Sequence, residues 1–324
     1  MKLRVAVAGA GVFGRHHMRV LHALENAELT GVYDLDANRA ALAASEHGVP
    51  AFESLEALAA NADAAIVAVP TTAHAAVGCQ LLRAGLDVLI EKPITPTLEE
   101  ADQLLAAAAE NGRIIQVGHL ERFNPAVEAL AARITTPLFF EIHRLSLFTP
   151  RSLDVDVVLD LMIHDIDVVL ALTGRMPEEV RAAGISILSK KVDIANVRLQ
   201  FPGGCVANLT ASRVSTEKVR KVRLFQPHEY ISIDYADQKG IAFRVSPEKQ
   251  IGFDPFLIKK EEPLLREVAH FVESVTKRSR PRVDGIEARK ALAVALDILE
   301  KIEAHAEIIA ATLAEPPQRP SPNS

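Results

Sequence analysis

The sequence predicts an α/β protein in two parts. A doubly wound parallel sheet comes first, followed by an α+β domain built on a large, mainly antiparallel open sheet with helices on one face. Three observations carry this expectation. Short β-prone runs alternate with Ala- and Leu-rich helical stretches over the first 120 residues, a glycine-rich hexapeptide sits at the first strand-to-helix junction, and beyond residue 120 longer strands follow one another.

A chain of 324 residues suits two domains, at roughly 100 to 200 residues each. Apolar residues make up 49% and charged residues 24%, with no Trp and 5% aromatics, so the core has to be aliphatic. The net charge of −6 gives no cationic field for nucleic acid or an anionic membrane, and no helix-turn-helix signature is present. Cys79 and Cys205 stand far apart with no Cys-x-x-Cys or zinc spacing; this implies no metal site and a reducing, cytoplasmic setting. No apolar run reaches the roughly 18 residues needed to span a bilayer, and the short Met1 to Ala8 stretch runs into glycines rather than a signal-peptide cleavage site.

Strands are expected at Leu3 to Ala8, Leu29 to Tyr33, Ala64 to Val69, Val88 to Ile90 and Ile114 to Val117, with helices at Val12 to Ala23, Ala73 to Ala84 and Leu98 to Ala109. Parallel strands need such long crossovers, so a doubly wound sheet follows. Gly9-Ala10-Gly11-Val12-Phe13-Gly14 fits Gly-x-Gly-x-x-Gly between the first strand and helix, and Asp34 closes the second strand 20 residues after Gly14. Together these mark a dinucleotide-binding Rossmann domain. Gly9 permits the tight turn, Gly11 lets a pyrophosphate approach, and Gly14 lets helix and strand pack closely. The amides of Val12 and Phe13 point at the phosphates. Asp34 should bind the ribose hydroxyls and repel a 2′-phosphate, favouring NAD over NADP, although Arg39 lies near enough to meet such a phosphate.

Glu91-Lys92-Pro93 follows the Val88 to Ile90 strand, at the carboxyl edge where open α/β sheets bind ligands. With the glycine motif and Asp160-Leu161-Met162-Ile163-His164, these residues make the chain resemble the Gfo/Idh/MocA family of NAD(P)-dependent oxidoreductases over most of its length. The chemistry is consistent, since alcohol oxidation removes a hydroxyl proton while a hydride leaves for the nicotinamide. Lys92 is the expected base, its pKa lowered by the nicotinamide cation and raised by Glu91 if that group is close.

From Asp154 to Leu172 the apolar spacing is helical, and Asp156, Asp160 and His164 fall four apart, on one expected face. The resemblance implies that Asp160 and His164 bind sugar hydroxyls and assist proton movement. It also implies cofactor contacts from Pro70, Thr71, His74, Glu91 and Lys92, and substrate contacts from Arg122 and Asn124. Asp154-Val155-Asp156 and Met162 depart from the usual small residues around this motif, placing the chain in a subgroup.

Beyond residue 120, strands are expected at Leu138 to Phe148, Val180 to Leu188, Ala195 to Phe201, Cys205 to Ser212, Val219 to Phe225 and Tyr230 to Tyr235, with terminal helices at Pro263 to Lys277 and Gly285 to Ala311. The boundaries are thus 1–120 for the cofactor domain and 121–314 for substrate binding and oligomerisation, the terminal helices packing back on the first domain. Residues 315–324, polar and Pro-rich, form an expected disordered tail. The uncovered sheet face predicts a homodimer or homotetramer. Arg213, Lys218, Arg220, Lys221 and Arg223 against Glu217 give a local +4. This is either a charge-protected strand or a diphosphate site using Arg220 and Arg223.

Resemblance to the family's nucleotide-sugar branch implies NAD-dependent oxidation of a UDP-amino-sugar, at C3 of UDP-N-acetylglucosamine or a relative, for lipid A or surface polysaccharide. The alternatives are a dehydrogenase of a free sugar, inositol or polyol, and a noncatalytic NAD-sensing or scaffold protein.

Overall fold

The computed structural model describes residues 2–148 and 155–314. The expected tail and Asp154 lie outside the described residues. Strands β1 (Leu3–Ala8), β2 (Ala27–Tyr33), β3 (Ala64–Val67), β4 (Asp87–Ile90) and β5 (Ile115–Val117) form a parallel sheet in the order β2-β1-β3-β4-β5. Helices α1 (Val12–Ala23), α2 (Ala37–His47), α3 (Leu55–Ala60), α4 (His74–Arg83) and α5 (Leu98–Asn111) supply the crossovers. Local chemistry sets their ends: Asp36 accepts from the amides of Asn38 and Arg39 to start α2, and Thr97 accepts from Glu100 N to start α5. The strand order reverses between β1 and β3, opening a crevice at their carboxyl ends.

The second sheet runs β13-β12-β11-β10-β6-β9-β8-β7. Its strands are β6 (Phe139–Leu147), β7 (Glu179–Ile185), β8 (Ile194–Gln200), β9 (Val206–Ser215), β10 (Val219–Gln226), β11 (Glu229–Asp234), β12 (Lys239–Val245) and β13 (Ile251–Phe256). All neighbours are antiparallel except β6 and β9. Strands β12 and β13 escape the sequence reading because β13 is exposed along nearly its whole length and contains Gly252 and Pro255, so no alternation marks it. Helices α6 (Pro125–Ala131) and α7 (Ile163–Thr173) cover one face of the sheet, where Phe140, Ile142, Leu209, Val222 and Ile231 meet Val158, Met162 and Ile166.

The terminal helices, α8 (Pro263–Lys277) and α9 (Gly285–Ala314), join the two sheets. On α8, Val268, Phe271 and Val272 pack with Val5, Val7 and Met18. Helix α9 has two apolar faces: Ala288 and Leu292 meet the α5 side of the first sheet, while Ala291, Ala295 and Ile298 enter the second core.

One expectation fails here. The helix carrying the Asp-x-x-x-His motif opens with a π-helical stretch, Val158–Met162, before α7. Asp156 precedes it and turns away, accepting from Val192 N at 2.9 Å and lying 3.5 Å from Lys191 Nζ. The wider π turn breaks the four-residue register on which a shared face with Asp160 and His164 depended.

Candidate active site

The three glycines have separate tasks. A Cβ on Gly9 (φ +106°) would lie 2.4 Å from Ala68 O, and one on Gly14 would lie 1.8 Å from Gly9 O, so strand, turn and helix pack too closely for a side chain. At Gly11 a Cβ would meet nothing within 4 Å. That open space faces the start of α1, which has no side-chain cap, leaving the Val12 and Phe13 amides for an anion. Asp34 directly follows β2, above this turn. Its Oδ2 accepts from Ala10 N at 2.8 Å and its Oδ1 from Asp36 N at 2.9 Å. Arg39 lies 3.4 Å from Asp34 and 3.2 Å from Asp36, so two carboxylates offset its charge. This donor and acceptor set fits a dinucleotide with a free ribose 2′-hydroxyl.

A cavity of ≈170 Å³ lies beyond the turn, between Phe13, Pro70, Thr71, Lys92, Leu159 and Asp160. The expected cofactor residues Pro70, Thr71, His74 and Glu91 all border it. The His74 ring nitrogens nevertheless meet main-chain carbonyls, Pro93 O at 2.9 Å and Val69 O at 3.0 Å, so the ring fastens the two loops together. Glu91 is likewise engaged, by His17 Nε2 at 2.7 Å and Lys92 N at 3.2 Å. Burial pushes its carboxyl up, but His17 and Lys92 outweigh that and hold it below the usual glutamate value. The sequence reading missed His17, whose signal was a histidine on the buried side of α1.

Lys92 reaches from the first domain to the π-helical stretch, where Nζ donates to Asp160 O at 2.5 Å and lies 3.4 Å from Oδ1. His164 stands beside this pair. Its Nδ1 is buried without a partner, whereas Nε2 is neither bonded nor sealed off. Burial, then the charges of Lys92 and Arg144, push its pKa well below the ordinary histidine value, so the ring is neutral. His119 sits edge-on to it, with ring centroids 5.9 Å apart, and is pushed down to about 3 by burial and then by Lys92 and Arg122.

Beneath His164 is a buried charge cluster that the sequence did not reveal. Arg144 on β6 binds Asp165 twice, at 2.7 and 2.8 Å, and Glu121 at 3.0 Å. Its guanidinium lies 5.3 Å from the centre of the Tyr235 ring. Arg220 pairs with Arg144 across β10 and β6, placing its guanidinium 3.9 Å from Glu121 on the helix-facing side.

Three expected substrate residues lie elsewhere. Arg223 is three positions from Arg220, so the pleat turns it to the opposite sheet face, where it meets Glu141 at 3.1 Å. Asn124 is buried: it donates to Glu121 Oε2 and Tyr235 O and caps α6 through Ala126 N. Arg122, in the 3₁₀ turn Leu120–Phe123, is drawn to the buried carboxylate of Asp167 at 3.3 Å and lines a second cavity of ≈370 Å³ with Glu128 and Arg282.

Residues 3–119 match the model of the oxidoreductase family with the NAD-binding Rossmann fold, and residues 131–226 match the GFO/IDH/MocA C-terminal domain. The chain belongs to the Gfo/Idh/MocA family. It is 37% identical over 308 residues to the UDP-N-acetylglucosamine 3-dehydrogenase of Acidithiobacillus ferrooxidans, covering 93% of this chain and 98% of that one. The solved structure of that enzyme, GnnA, matches with a TM-score of 0.89 over 94% of this chain and 99% of that chain. The scyllo-inositol 2-dehydrogenase (NAD(+)) of Bacillus subtilis is 27% identical, covering 89% of this chain and 90% of that one. An Agrobacterium radiobacter oxidoreductase solved with NAD+, L-tartaric acid and magnesium shares the fold, with a TM-score of 0.82 at 16% identity over 94% of this chain and 97% of that one. This Gfo/Idh/MocA member is thus an NAD(P)-dependent oxidoreductase acting on CH–OH groups, with NAD as its cofactor. Among the described residues, no helix is long and apolar enough to cross a membrane.

Proposed function

We propose that the enzyme oxidises the C3 hydroxyl of UDP-N-acetylglucosamine, or of a closely related UDP-amino-sugar, to a ketone. The observation that carries this reading is the 37% identity to the A. ferrooxidans 3-dehydrogenase across nearly the whole of both chains. Arg220 supports it, as a half-buried cation near His164 and suited to an anionic substrate group. Such a product fits a precursor of lipid A or surface polysaccharide, made in the cytoplasm. Bound NAD supplies the hydride acceptor.

The protein's own groups divide the remaining work. His164, neutral with Nε2 open, takes the hydroxyl proton, while Lys92, oriented by Asp160, stabilises the oxygen as negative charge develops on it. This exchanges the expected roles, in which Lys92 is the base and His164 assists. NADH formation from NAD and UDP-N-acetylglucosamine tests the reading; turnover of scyllo-inositol without turnover of the UDP-sugar would replace it with the polyol reading favoured by the inositol dehydrogenase relatives.

We also infer that the functional unit contains at least two copies of this chain. On the uncovered sheet face, Phe139, Phe225, Tyr230, Phe243 and Phe253 form an unbroken row across five strands, with neighbouring ring centroids 5.0 to 6.0 Å apart. The same face carries Arg223 paired with Glu141. An apolar row flanked by both charge signs suits the self-complementary contact of a two-fold dimer.

A further inference from the structure

Helix α7 and the 3₁₀ turn Leu120–Phe123 face each other through two rungs of side chains. One is His164 against His119, with centroids 5.9 Å apart, and the other is Asp167 against Arg122 at 3.3 Å. Each member lies three residues from the next along its own segment, so the rungs stack one turn apart. His119 and Asp167 are 1% and 2% exposed. Buried polar atoms without partners gather here: His164 Nδ1, both ring nitrogens of His119, Asp167 Oδ2 and, from α8, both carboxylate oxygens of Glu267. Buried polar groups are nearly always satisfied, and a polar pocket of this kind is where enclosed water supplies the missing bonds. At the far end, Arg122 forms part of the wall of the ≈370 Å³ cavity.

The geometry points to a proton exit: His119, Asp167 and water enclosed among these groups carry the substrate's hydroxyl proton from His164 to the Arg122 cavity. The inference rests on the reading above that His164 accepts that proton. In the step, the C–H electron pair leaves as hydride to NAD, and the O–H electron pair becomes the second C=O bond. The proton on Nε2 makes an imidazolium, which releases its Nδ1 proton through water past His119 to the Asp167 carboxylate. Asp167 then gives it up at the cavity, and water-mediated transfer of the remaining His164 proton from Nε2 to Nδ1, once the product has left, restores the starting tautomer. No oxidant other than NAD is needed.

Asp167 suits the role of outer acceptor. Burial pushes its pKa up to about 7 against the pull of Arg122, with Glu287 adding to the rise. Arg122 from the 3₁₀ turn, Glu267 from α8, Glu287 from α9 and Tyr235 after β11 are the titratable and charged groups that act on it, and His119, at the cap of the turn, stands on the next rung.

The test is single-turnover stopped flow with NAD and UDP-N-acetylglucosamine, or with scyllo-inositol if that is the sugar turned over. NADH is followed by its absorbance and the released proton by an indicator dye. In wild type the two signals should rise together. In Asp167→Asn and His119→Phe, proton release should lag NADH by about tenfold or more, and Asp167→Glu should restore it, which a purely structural role would not produce. Release in step with NADH in both variants would overturn the exit. A His164→Asn variant forming NADH at the wild-type rate would instead overturn the reading on which it rests.

Discussion

Lys92 Nζ lies 2.5 Å from the main-chain oxygen of Asp160, so the catalytic candidate of the first domain is held by the helix that opens the second domain's site. That helix is π-helical at this point. Lys92 therefore bridges the cofactor and substrate surfaces, and its position depends on both sheets.

Replacing Lys92 by Met should lower kcat by about 10²- to 10⁴-fold. NAD affinity should change little, because the pyrophosphate and ribose elements at Gly11 and Asp34 are untouched. Steady-state kinetics alongside calorimetric titration of NAD separates the two effects.

Asp34→Ser removes the carboxylate that holds Ala10 N and Asp36 N and frees Arg39 from one of its two partners. The kcat/KM ratio of NADP to NAD should rise by about tenfold or more. An unchanged ratio would mean that Asp34 does not read the ribose.

Arg144→Met leaves Asp165 and Glu121 buried together without their shared cation. Unfolding free energy should fall by about 3–5 kcal/mol, measured by urea denaturation. Arg220→Glu, at a half-exposed position, should instead raise KM for the UDP-sugar and leave KM for scyllo-inositol unchanged.

His119 yields a pH prediction with a definite sign. Its folded pKa, about 3, lies below the unfolded value of about 6.5. Between those values the unfolded state binds a proton that the folded state does not, so the contribution of His119 is intact above about pH 6.5 and is lost as pH falls toward 3. His164 acts in the same direction. Asp167 and Glu267, with raised values, act in the opposite direction. The comparison is therefore between variants: the stability of His119→Phe relative to wild type should improve by up to about 1.4 kcal/mol per pH unit below 6.5.

Phe243→Asp places charge in the middle of the aromatic row. Light scattering after size exclusion should show a smaller species than wild type, with secondary structure retained.

The cofactor half was readable because each of its devices is local. Gly9, Gly11, Gly14 and Asp34 act through the turn in which they sit, and helix α1 emerges with the bounds the pattern predicts. The substrate half depends on contacts between distant segments. Arg144 meets Asp165 and Glu121 only once β6, α7 and the 3₁₀ turn are packed, and nothing local distinguishes it from a surface arginine. The helical period was sound for α7, yet the π turn before it moved Asp156 out of the site. The three-residue interval from Arg220 to Arg223 already placed them on opposite faces of a strand.

The most direct test of the central claim uses UDP-N-acetylglucosamine carrying deuterium at C3. With NAD, the enzyme should form deuterated NADH and a 3-keto sugar, with a primary isotope effect on hydride transfer. Unlabelled NADH from that substrate, or none at all, would contradict it.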